Sequence, residues 1–82
     1  MPNRLRNLSG GEVIKIFQTF DFKLIFGKGS HCKLARINND GTRQVIVVPR
    51  HQSISKGTLK SIYNKALNYL SEEQLKPLFY FL

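Results

Sequence analysis

A chain of 82 residues with 41% hydrophobic residues has material for one domain with one core, and no apolar run of ~18 residues that could span a membrane. Thirteen lysines and arginines stand against five acids, a formal net charge of +8, and the single cysteine excludes an internal disulfide. Such a balance points to a polyanionic partner, above all nucleic acid; the plainer reading is a basic domain that meets an acidic protein.

The basic start of the chain is followed by a polar, glycine-rich stretch rather than by a signal-peptide core, so a cytoplasmic protein is expected. Ser9-Gly10-Gly11-Glu12 has capping-box spacing. Val13, Ile14, Phe17 and Phe20 then recur at helical intervals, which predicts a helix over about residues 10–20 with Asp21 at its C′ position. Phe22 to Phe26 reads as a strand, with Phe22, Leu24 and Phe26 on one face and Lys23 and Ile25 on the other. Gly27-Lys28-Gly29-Ser30 makes a turn, and a second strand over 30–37 begins with His31 near its first position. Asn38-Asn39-Asp40-Gly41 is a hairpin signal. A third strand over 43–48 follows, ended by Pro49.

A loop over 50–55 leads to Leu59, Ile62, Tyr63, Ala66, Leu67 and Leu70, the stripe of a second helix over about 58–69. Ser71-Glu72-Glu73-Gln74 starts a short third helix, which Pro77 should limit. The apolar end, Leu78 to Leu82, is expected to fold back on the core in large part. The whole chain, 1–82, is thus one α+β domain of order α-β-β-β-α. Its three-stranded antiparallel meander carries helices on one face, leaves the other open, and is followed by a short C-terminal helix. Cys32 and Leu34 fall on the core side, and His31, Lys33 and Ala35 on the open one.

His31 is the leading chemical candidate, because imidazole exchanges protons near neutrality and RNA cleavage needs an acid, a base and cations around the phosphate. The plainer reading is a surface strand residue. His51 follows Pro49 at the end of strand three. The hairpin brings that end beside His31, so His51 is either a second acid–base group or an exposed loop residue. Lys28, Lys33, Arg36, Arg43, Arg50, Lys56 and Lys60 surround that edge, with Ser30 beside the histidine. Each is a candidate RNA contact, although singly each cation also fits a solvated charge. Cys32 alternates with His31 and points to the opposite face, which disfavours a nucleophile pair. The few carboxylates sit at helix ends and turns, and no zinc, P-loop or dinucleotide motif occurs, so neither metal nor cofactor is expected.

Four blocks in order resemble the HicA toxins, the mRNA interferases of HicA–HicB toxin–antitoxin systems. These are Ser9-Gly10-Gly11-Glu12-Val13-Ile14, Gly29-Ser30-His31, Val47-Val48-Pro49-Arg50-His51, and Lys56-Gly57-Thr58-Leu59-Lys60-Ser61-Ile62. The resemblance implies a fold like that of double-stranded-RNA-binding domains and a cofactor-independent endoribonuclease acting on mRNA. It also implies catalysis by the histidine at position 31 and neutralisation by a HicB antitoxin. The chain departs from the family at Asp21, where glycine is usual, at Cys32, often a second histidine, and in its longer aromatic tail. A non-catalytic RNA-binding module of the same fold is the alternative. Exposed aromatics for base stacking are few on this reading.

Overall fold

The structure, a computed structural model, describes residues 4–81; Met1 to Asn3 and Leu82, parts of the basic start and the apolar tail, lie outside them. The element order is β1 (Arg4–Leu5), α1 (Gly10–Gln18), β2 (Lys23–Lys28), β3 (His31–Ile37), β4 (Arg43–Pro49), α2 (Lys56–Ala66), α3 (Glu72–Phe79) and β5 (Tyr80–Phe81). β2, β3 and β4 form the expected antiparallel meander. β1 and β5, which periodicity does not announce, pair as a separate two-stranded ribbon that joins the two ends of the described chain.

Both ends of α1 are specified locally. Ser9 Oγ accepts from the Glu12 N–H at 3.1 Å and Glu12 Oε1 accepts from the Ser9 N–H at 2.9 Å, the reciprocal capping box. The bond from the Ser9 backbone also holds the Glu12 carboxyl below its ordinary pKa. At the other end Asp21 takes φ 69°, the left-handed conformation expected of a C′ residue. Phe22 N–H then bonds Phe17 O and Asp21 N–H bonds Gln18 O. The Phe17 and Phe22 rings meet edge-on at 5.6 Å, completing a Schellman ending with its hydrophobic contact. Gly10 is required at the start of α1, since a Cβ there would lie 2.1 Å from Pro49 O. Its N–H donates to His51 O, which seats α1 against the end of β4.

The core gathers Val13 and Phe17 of α1, Leu34 of β3, Ile46 and Val48 of β4, Leu59, Ile62, Tyr63 and Ala66 of α2, and Leu75 and Phe79 of α3. Cys32 and Leu34 are fully buried while His31 and Lys33 are exposed, as expected; Ala35, on the open face by its pairing with Lys23 and Val45, is buried all the same. α3 runs through Pro77 to Phe79 rather than stopping before it. The proline N–H would have met only Glu73 in the first turn, and buried Leu75 and Phe79 anchor the helix on either side.

β2 departs most from the alternation. Leu24 pairs with Leu34 and Phe26 with Lys33, so Ile25 is the extra residue of a β-bulge. Phe22 is buried, while Leu24, on the helix-facing side by its pairing with Leu34, is 46% exposed on this edge strand. Phe26 does not share their face: it passes to the open one, opposite Lys33, where it is 57% exposed.

Candidate nucleic-acid cleavage site

The hairpin between β2 and β3 turns on Gly29 and Ser30. Gly29 has φ +60° and Ser30 is not left-handed, the glycine-first pattern of a two-residue turn. Lys28 and His31 therefore face each other across the ladder, with Pro49 on the far side of His31. The Arg50 N–H closes the rim by donating to Ser30 O. The backbone on both sides of His31 is thus fixed while its side chain is exposed. Its Nδ1 lies 3.2 Å from Ser30 Oγ. That contact engages one ring nitrogen and leaves Nε2 to meet a substrate.

His31 and His51 line one groove of about 660 Å³ beside the free edge of β4. One wall is the open-face row Pro49, Val47, Val45 and Arg43; the other is Thr58, Ser61, Lys65 and Tyr69 of α2 and the turn after it. Arg50 bonds across to Ser30, so by antiparallel alternation the N–H groups of Val47, Val45 and Arg43 point outward into this edge. The groove combines two imidazoles, two cations and a row of backbone donors, a set that suits a phosphodiester. The α2 wall is not legible in the apolar stripe that marks the helix. Thr58, Ser61 and Lys65 form a polar stripe at the same helical spacing beside it.

The basic residues divide. Lys28 and Lys33 stand on the open face with His31, and Lys60 is exposed on α2. Arg36 is half-buried among chain acceptors: its Nε bonds Gln44 Oε1 at 2.6 Å, one Nη bonds Phe20 O at 2.9 Å and the other bonds Tyr69 O at 3.1 Å. Its guanidinium also lies 4.9 Å from the Phe22 ring centre. Lys56 Nζ bonds Leu5 O, Arg6 O and Asn7 Oδ1, which ties α2 to the N-terminal segment. Arg50 donates to Cys32 Sγ and lies over Gly27, where a Cβ would sit 2.5 Å from its guanidinium. Gly27 pairs with Cys32, so this guanidinium occupies the face opposite His31. Among the described residues no group of His, Cys, Asp and Glu could hold a metal ion, and no helix is long and apolar enough to cross a membrane.

The profile of the HicA toxins of bacterial toxin–antitoxin systems matches residues 10–67, from the first residue of α1 to just past α2. No curated protein and no solved structure matches the chain.

Proposed function

The chain belongs to the HicA toxin family, a toxin of a toxin–antitoxin system, and on that footing we propose that it is a cytoplasmic, metal-independent endoribonuclease that cleaves mRNA by histidine acid–base chemistry. The observation that carries this reading is His31: exposed, anchored at the first position of β3, and sharing a groove with His51. One imidazole takes the proton of a 2′-hydroxyl as that oxygen attacks the adjacent phosphorus. The other protonates the departing 5′-oxygen, leaving a 2′,3′-cyclic phosphate and a 5′-hydroxyl. Lys28, across the ladder from His31, and Lys33, two residues along its face, offset the charge of the pentacoordinate phosphorane. Ser30 orients the catalytic ring, and Lys60, with the basic groups flanking the rim, draws in the RNA. A HicB-type antitoxin silences the enzyme by covering His31, which is open to a protein as well as to a nucleotide.

The test is to incubate purified protein with RNA in EDTA beside His31→Ala. The parent should cleave, and the variant should bind RNA but lose at least about 100-fold in rate. Binding without cleavage by the parent would leave an RNA-binding module instead. Cleavage abolished by EDTA alone would refute metal independence.

A further inference from the structure

We propose that Phe26 is a stacking platform for a base beside the scissile phosphate, and that it selects RNA in single-stranded form. This rests on the ribonuclease reading above. The bulge at Ile25 turns Phe26 out of the core side and onto the open face. A phenylalanine left 57% exposed on a sheet has lost the burial that normally justifies it. What surrounds it identifies the occupant. Phe26 stands directly opposite Lys33, and the next row of the same face is Lys28, His31 and Pro49. Phe26 and His31 are therefore diagonal neighbours, with backbones roughly 7–8 Å apart, a span that aromatic side chains bridge.

Neither row holds a carboxylate. An apolar ring framed by two lysines and an imidazole matches a nucleotide: the base covers the ring and its phosphates meet the ammonium groups. Val47, 49% exposed in the row of Phe26 and Lys33, extends the apolar floor on the far side. A base reaches the ring only when it is out of a duplex stack, so the platform favours unpaired RNA. The sheet rim thus carries two adjacent functions, a ring that holds the base and a ring that moves the proton. Phe26 is a positioning residue, since it acts through the placement of the phosphate at His31.

The chain has no tryptophan, so Phe26→Trp introduces a sole reporter at the platform. In a His31→Ala background, titration with single-stranded oligoadenylate should quench its fluorescence saturably. The same strand annealed to its complement should not. In the active protein, Phe26→Ala should raise KM roughly 5- to 150-fold with little change in kcat. Phe26→Tyr should restore KM and Phe26→Leu should not, because only an aromatic face stacks. Circular dichroism of each variant should match the parent, as the ring is outside the core. Cleavage by Phe26→Ala with the parental KM, or equal quenching by duplex, overturns the platform while leaving the nuclease reading intact; the ring would then serve a protein contact. A parent that neither binds nor cleaves RNA removes both readings, and His31→Ala with undiminished cleavage removes only the catalytic assignment.

Discussion

The Ser30 hydroxyl, 3.2 Å from His31 Nδ1, fixes which nitrogen of the imidazole faces away from the chain. In the proposed mechanism Ser30 Oγ accepts from Nδ1–H and so presents Nε2 to the substrate, with a free lone pair (a base) when the ring is neutral and with a proton (an acid) when it is the imidazolium. Ser30→Ala removes this control. It should lower kcat about 2- to 10-fold, the worth of one neutral hydrogen bond, and displace the pH–rate profile while KM holds. Arg36 illustrates the opposite case, a cation each of whose three nitrogens bonds an acceptor within the chain. Its three hydrogen bonds join β3 to the turn after α1 and the turn after α2. Arg36→Met should destabilise the fold by about 2–4 kcal/mol in urea titration, because it strands the partly buried Gln44 amide and two carbonyls. RNA affinity per folded molecule should change far less. A basic residue near a site is legible in a sequence, but whether it faces solvent or its own backbone is not, since the acceptors on Arg36 lie 8 to 33 residues away.

At the level of elements, local chemistry wrote much of the plan. The capping box at Ser9, the turn at Gly29 and the left-handed Asp21 each follow from a few adjacent residues, and each stands where the spacing predicts. Asp21 still pays a steric cost that glycine avoids at positive φ. Asp21→Gly should therefore stabilise the protein by about 0.5–1 kcal/mol, read as a rise of several degrees in Tm. The bulge in β2 was harder to see. Strict alternation assigns Phe26 to the core and the glycine pattern assigns Gly27 and Lys28 to the turn, whereas β2 continues through both after the bulge. The two-residue strands β1 and β5 gave no signal at all, as they are too short for alternation and their partners lie at opposite ends of the sequence. Between the helices, Tyr63 of α2 donates its hydroxyl to Glu72 Oε2 of α3 at 3.2 Å. Burial first, then the Glu72 charge, pushes the phenol up to about 12. A raised folded pKa means that this contribution is complete below the unfolded value near 10 and is lost as pH climbs toward 12. Thermal melts between those values should show an alkaline decline of up to about 2–3 kcal/mol, and Tyr63→Phe should abolish it.

The molecule as a whole measures 39 × 30 × 18 Å, its short axis set by one sheet and one layer of helices. The sheet face without helices carries Lys23, Lys28, Lys33 and Arg43, and the groove at its edge adds Lys65. If three to five of these neutralise phosphates of a single strand, log K against log salt should slope at about −2 to −3.5. Lys33→Ala should flatten that slope by about 0.7, whereas Arg50→Ala, on the opposite face, should leave it nearly unchanged. The general outline of this surface, a positive sheet with a histidine at its rim, was readable from charge and alternation. Its groove was not, because one wall comes from β4 and the other from α2, and nothing in either stretch alone says how far apart they stand.

Phe79, wholly enclosed, packs on Phe17 with ring centres 5.9 Å apart and on Tyr63 at 5.4 Å, and the next two residues bind the chain's beginning at Arg4 and Leu5. During translation Phe17 leaves the ribosome well before Phe79, so for that interval the earlier ring lacks this partner. A nascent chain halted before residue 79 exposes to water the apolar surfaces of Phe17 and Tyr63 that Phe79 covers.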